Sequence, residues 1–133
     1  MVESIYVGTI NGRPVPFYGQ DQPEGGVSLP WPDLPALLEA SGISPDIARL
    51  YLEVTWSRSE GGVRKVTTPT GPAVVVSHHE AWQLLGVAGR LGHCTPAIDD
   101  LFIEAAAMAF RQVIAGTSVE LLVDLAALRG RTG

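Results

Sequence analysis

Residues 63–85 read VRKVTTPTGPAVVVSHHEAWQLL and predict a β-hairpin that leads directly into a helix. Val63–Thr68 and Ala73–Ser77 are rich in valine and threonine, and the turn-forming run Pro69–Pro72 separates them, which is typical of two antiparallel strands. Val74–Val76 is continuously apolar, and this predicts a strand that is buried on both faces.

Capping signals predict where three of the helices begin. Ser77 and Glu80 form a capping box, in which each side chain would accept a hydrogen bond from the backbone amide of the other residue. Ser44-Pro45-Asp46 predicts a second helix, which runs to about Ser57 and has an apolar stripe at helical spacing. The stripe consists of Ile47, Leu50, Tyr51 and Val54. Asp33 is a candidate N-cap for a short helix that Gly42 ends.

The chain opens with another predicted hairpin. Asn11-Gly12 separates an apolar, β-branched run that ends at Ile10 from the segment Arg13–Tyr18, and both turn residues tolerate positive φ. Pro14 and Pro16 have no amide hydrogen to donate, so this second strand is expected to be short or to lie at the edge of a sheet.

The C-terminal part of the chain predicts two helices. The longer one opens at Thr95-Pro96 and ends at Gly116, and a capping box at Thr117–Glu120 begins another that stops near Arg129. The predicted fold is α+β: two β-hairpins form a small antiparallel sheet packed against helices, with a two-helix C-terminal extension. Residues 1–92 would form the α+β domain, and residues 93–133 a helical pair that either completes the same unit or dimerises.

The composition narrows the class of protein. Of the 133 residues, 46% are hydrophobic and 17% are charged, which excludes general disorder. The net charge of −5 argues against strong, autonomous nucleic-acid binding, which usually needs a basic face. The single cysteine favours a reducing compartment, and neither a signal peptide nor a membrane span is visible, so a cytoplasmic location is expected.

Few residues offer catalytic or metal-binding chemistry. His78 and His79 are adjacent, as are His93 and Cys94, whereas zinc ligands are usually separated by two to four residues and a thiol must face its base. Phosphate-cradling and nucleophile-elbow motifs are missing from the sequence. We therefore predict no catalytic residue, no metal and no cofactor.

Seven residues are predicted to form binding surfaces. Basic side chains around an aromatic one are typical of an interface hot spot or a phosphate-gripping patch, and the alternative is a solvated surface with the aromatic side chain in the core. This group consists of Arg49, Trp56, Arg58, Arg64 and Lys65. Tyr18 and Trp31 flank a long polar loop, and such loops are often functional, although a flexible connector is the alternative.

The order of elements resembles a known family. After the first hairpin come LPWPDLPALLEASGIS, a helix, and then residues 63–85. This arrangement, over about residues 4–90, is similar to the BRO-N domain of phage antirepressors and baculovirus repeated-ORF proteins, in which an Asp-containing helix lies at the place of Asp33–Ala40 and a capped helix at that of Ser77–Leu85. The resemblance implies gene regulation by DNA binding or by antagonism of a repressor. The family usually has a separate C-terminal domain, whereas two predicted helices follow here.

Three functions follow as hypotheses. The first is a non-enzymatic, antirepressor-like regulator from a phage or mobile element that binds a protein and forms a homodimer. The second is a DNA-binding regulator that uses the local basic patch of Arg49, Arg58, Arg64 and Lys65. The third is a minor hydrolase that uses His79 or Cys94.

Overall fold

A computed structural model describes residues 2–19, 29–58 and 62–115 of the protein. An Asn-Gly turn closes its first hairpin. Strand β1 (Tyr6–Ile10) and strand β2 (Arg13–Tyr18) pair antiparallel on either side of the turn. Asn11 and Gly12 have φ angles of 52° and 77°. Two successive residues with positive φ match the twist of the flanking strands, and the predicted hairpin is confirmed.

A third, very short strand makes β2 the central strand of its sheet. Strand β3 (Trp31–Pro32) pairs with the last two residues of β2, so the prediction that β2 is short or lies at an edge is wrong. The prolines are tolerated because β3 does not pair with Pro14 or Pro16 and requires no amide hydrogen from them. Pro16 contributes its carbonyl instead, which accepts a hydrogen bond of 2.9 Å from the amide of Asp33.

The second hairpin forms its own sheet. Strands β4 (Val63–Thr68) and β5 (Gly71–Val76) pair antiparallel along their full length, and a single bridge between Asp33 and Val75 joins them to the first sheet. Val75 and the adjacent Val76 are both fully buried although they point to opposite faces, whereas Val74 is half-buried. The predicted burial on both faces is therefore confirmed for the end of the strand only. The chain therefore has an α+β fold, with the two hairpins in separate antiparallel sheets that pack against helices.

Two helices connect the sheets. Helix α1 (Leu34–Ala40) begins at its predicted cap, where the Asp33 carboxylate accepts a 2.9 Å hydrogen bond from the Ala36 amide. Gly42 follows the end of α1 with a φ of 80°, the left-handed conformation that glycine adopts at little cost. Helix α2 (Pro45–Arg58) follows almost at once and packs against α1.

The C-terminal half of the described chain is helical. Helix α3 (His78–Arg90) is capped by the Ser77 hydroxyl, which accepts a 3.2 Å hydrogen bond from the Glu80 amide. The other half of the predicted capping box is not formed, because the Ser77 amide donates to the Gly62 carbonyl at 2.8 Å. Helix α4 (Ile98–Ala115) starts after a turn and packs against β1 and α3.

The core lies where α4 crosses the first sheet and α3. Phe102 of α4 is fully buried, and its ring centroid lies 6.5 Å from that of Phe17 in β2 and 5.2 Å from that of His78 at the start of α3. Gly8 allows this close packing, because a Cβ atom added there would lie 3.3 Å from the Cβ of Ala105. The α4 part of residues 93–133 therefore belongs to the same core as the hairpins.

The second C-terminal helix predicted from the sequence, Thr117–Arg129, lies outside the described residues. Dimerisation through residues 93–133 stays a prediction. No helix in the described ranges combines the length and the apolar character that crossing a membrane requires.

We expect Phe102→Ala to lower the free energy of unfolding by about 3–5 kcal/mol, because the substitution removes a buried ring and leaves a cavity between three elements. Ile103→Ala is the matched control, since Ile103 is exposed on the same helix and should cost roughly 0.5 kcal/mol. Urea unfolding followed by circular dichroism measures both. Equal losses in the two variants would contradict this description of the core.

Candidate functional site

Three of the predicted binding residues meet where the two sheets adjoin. Tyr18 of β2 pairs with Trp31 of β3, and the Arg64 guanidinium of β4 lies 5.1 Å from the centre of the Trp31 ring. At that distance a cation is attracted to the negative face of the ring. Burial raises the pKa of the Tyr18 hydroxyl, and the Asp33 carboxylate adds to the rise. Lys65 follows Arg64 on β4 and is exposed, but it points to the opposite face of the strand and does not join this group.

The remaining predicted residues lie on α2 and do not form one patch. Arg49 and Arg58 are nine residues apart, about two and a half helical turns, so they point to opposite sides of the helix. Trp56 is 53% exposed and lies seven residues from Arg49, on the same side. The alternative that Trp56 belongs to the core is therefore excluded, and the predicted basic patch separates into surfaces that face different ways.

Helix α2 is unusual among the described helices, because none of its side chains is buried. Ile47 and Tyr51 of its apolar stripe are half-buried against the core, whereas Leu50 and Val54 are 55% and 47% exposed. Apolar residues at helical spacing normally cover a core, and here the stripe borders an open groove between α2 and α3. The sequence reveals such a stripe but does not reveal what covers it.

The groove, which we call the α2–α3 groove, consists of two adjoining depressions. They have volumes of about 340 and 180 Å³ and share Tyr51 and Val54, so they run into each other. The α3 wall has apolar side chains at helical spacing as well, of which Leu84 is buried while Val87 and Leu91 are exposed. The α2 wall consists of Ile47, Leu50, Tyr51, Val54, Thr55 and Arg58, and Glu80, Gln83 and His93 complete the lining.

A hydrogen bond at one end of the groove connects its two sides. The Tyr51 hydroxyl lies 2.6 Å from Nδ1 of His93, and the two rings meet edge to face with centroids 5.6 Å apart. Burial raises the pKa of the Tyr51 hydroxyl. Because His93 follows α3 in the chain, this contact holds α2 to the turn that leads into α4.

The histidines and the cysteine lie at two ends of α3. His78 and His79 occupy its first turn, whereas His93 and Cys94 follow its last turn, and a helix of this length spans about 20 Å. Cys94 is a free thiol whose pKa is raised by burial and, to a smaller extent, by the Asp99 carboxylate, so its nucleophilic thiolate is disfavoured. Within residues 2–19, 29–58 and 62–115, no three His, Cys, Asp or Glu side chains are close enough to hold a metal ion.

Of the residues that line the α2–α3 groove, only Arg58 was predicted from the sequence as a binding residue. Their apolar character was visible in the stripe at Ile47–Val54 and in the spacing of Leu84, Val87 and Leu91.

No protein-family model matches the chain, and no curated protein or solved structure shows significant similarity to it. The resemblance to the BRO-N domain therefore stays a prediction, and the surfaces described above are the basis for the proposed function.

His78 makes stability depend on pH. Burial lowers the pKa of its imidazole below the usual 6.5, with His79 adding to the effect, and its Nδ1 atom has no hydrogen-bond partner among the described residues. Well above pH 6.5 the imidazole is neutral in both the folded and the unfolded chain and contributes no pH dependence. As the pH falls below 6.5, the unfolded chain binds a proton first, so stability is lost until the pH passes the lower pKa of the folded state.

We expect the free energy of unfolding to fall between pH 7.5 and 5.5, and His78→Phe to remove a large part of that fall while keeping the ring contact with Phe102. His79→Phe, at the exposed neighbouring position, should keep most of it. Chemical denaturation across this pH range measures the effect, and identical pH profiles for wild type and His78→Phe would refute it.

Proposed function

We propose that this chain is a non-enzymatic regulatory protein that binds an amphipathic helix of a partner protein in the α2–α3 groove. The observation that carries the proposal is that α2 has no buried side chain and yet exposes an apolar stripe toward α3. When a partner covers exposed apolar surface of this kind, the burial contributes a favourable free energy of roughly 25 cal/mol for each Å².

The form of the groove favours a helix as the bound element. Both walls are helical and carry apolar side chains three or four residues apart, as Leu50 and Val54 do on α2 and Val87 and Leu91 on α3. A third helix with apolar residues at positions i, i+4 and i+7 can lay its stripe between two such rows. Charged side chains at one end of the groove, Arg58 and Glu80, would orient the bound helix.

The class of partner follows from the resemblance to the BRO-N domain. That family includes antirepressors, so a transcriptional repressor from a phage or mobile element is the first partner to test. The hydrolase hypothesis is weakened by position, because His79 and Cys94 lie at opposite ends of α3 and do not share a site.

A second candidate function is nucleic-acid binding at the place where β4 adjoins Trp31. The observation in its favour is the stacking of the Arg64 guanidinium over the Trp31 ring. An aromatic ring and basic side chains together can bind bases and phosphates of a single strand. The net charge of −5 opposes such binding, so the affinity would come from local contacts with phosphates and would fall as the salt concentration rises.

We expect Leu50→Asp and Val54→Asp to abolish binding of the partner helix, because each places a charge in the apolar lining of the groove. Proteins retained from the host cell by the wild type and lost with Val54→Asp would be purified, and their helical segments titrated by calorimetry. Burial of apolar surface should give a negative heat-capacity change.

The matched control for this experiment is Trp56→Ala, since Trp56 is equally exposed but lies on another side of the same helix. It should leave binding unchanged. If the groove variants retained the same proteins as the wild type, the groove would not be the binding surface. If only Trp56→Ala lost them, the surface would lie on the other side of α2.

For the second candidate, Arg64→Glu should lower the salt dependence of single-stranded DNA binding. The slope of log K against log salt should fall by about 0.7, which is the contribution of one phosphate contact. Arg111→Glu makes the same charge change at an exposed position of α4 and should leave the slope nearly unchanged. Failure of the wild type to bind DNA at low salt, or equal effects of the two substitutions, would dismiss this function.

A further inference from the structure

Four exposed side chains form a row along α2, each four residues from the next. The row reads Asp46, Leu50, Val54, Arg58, and residues at this spacing form a ridge on the surface of a helix. The ridge begins with a negative charge, ends with a positive charge, and has two half-exposed apolar side chains between them.

This order is complementary to itself under a twofold rotation. An axis that passes between Leu50 and Val54 places a second copy of α2 antiparallel to the first. Asp46 then lies opposite the second copy's Arg58, and Leu50 opposite its Val54. Each contact occurs twice, because a twofold interface uses the same surface on both copies. A parallel pair would instead bring acid against acid and base against base.

We propose that a second copy of this chain pairs antiparallel with α2 along this ridge when no other partner is bound. The inference rests on the proposed function, because the ridge includes Leu50 and Val54 of the α2–α3 groove. Self-pairing and binding of a partner helix therefore compete for the same apolar side chains, and self-pairing shields them from solvent until the partner arrives.

We expect the affinity of this dimer to be low. One helix from each copy covers less surface than a stable interface needs, and exposed ion pairs such as Asp46 with Arg58 add little. Weak pairing suits this role, since a partner helix that uses both walls of the groove can displace the second copy.

The test uses charge reversal at the two ends of the ridge. Asp46→Arg and Arg58→Asp each replace two attractive contacts by two repulsive ones, and should weaken self-association on the order of tenfold in sedimentation equilibrium. An equimolar mixture of the two variants should recover wild-type affinity as a heterodimer. In that mixed pair the two substituted positions face each other with opposite charges, and the unchanged Arg58 of one copy faces the unchanged Asp46 of the other. The double variant should recover the affinity as a homodimer.

Two controls separate pairing from folding. Both reversals oppose the helix dipole, and the mixture retains that penalty, so recovered association in the mixture cannot come from a more stable helix. Arg111→Asp makes the same charge change as Arg58→Asp at an exposed position of α4, outside the ridge, and should associate like the wild type. Circular dichroism melting of each variant checks that it is folded.

A wild-type chain that stays monomeric at every concentration would overturn the proposal. So would single variants that associate like the wild type, because the copies would then pair through another surface, and so would a mixture that fails to recover. These outcomes would not affect the proposed function, provided that a partner helix binds the wild type and no longer binds the Leu50→Asp variant. Self-pairing as predicted, without binding of any such helix, would overturn the proposed function and leave the dimer standing.

Discussion

The burial of Phe102 is the contact on which the arrangement of this protein depends. Its ring meets Phe17 of the first sheet on one side and His78 of α3 on the other, so a single side chain of α4 joins three elements that are distant in sequence. Gly8 lets α4 approach β1 closely enough for this contact. With α4 in that position, α2 packs only half-buried side chains against the core, and Leu50 and Val54 stay exposed.

Much of the fold was predictable because its signals are local. The Asn11-Gly12 turn and the caps at Asp33 and Ser77 each depend on the conformation of a few neighbouring residues, and all three have the expected geometry. The central position of β2 was not predictable from such signals, since it is created by a two-residue strand that is too short to show a period. The Ser77 amide likewise bonds to Gly62 across the sheet, and not to the nearby Glu80.

In the candidate site, too, local features were predictable from the sequence, whereas contacts between distant segments were not. Sequence reasoning grouped Arg49 and Arg58 because both are near Trp56 in the chain, but the period of a helix places them on opposite sides of α2. The contact between Arg64 and Trp31 joins two sheets, and its partners were named separately without any indication that they would meet. Whether an apolar stripe is buried depends on which element packs against it, and the stripe itself does not contain that information.

Helix α2 lies at the margin of the core, and this position separates recognition from folding. It is held by Ile47, Ala48, Tyr51 and Leu52, which pack against the core, and by the hydrogen bond between Tyr51 and His93. Leu50 and Val54 take no part in these attachments. Substitutions at these two positions alter the surface that a partner meets without removing a contact of the core. Substitutions at the exposed positions of α2 can therefore change the binding specificity, while the buried contacts of Phe102 maintain the fold.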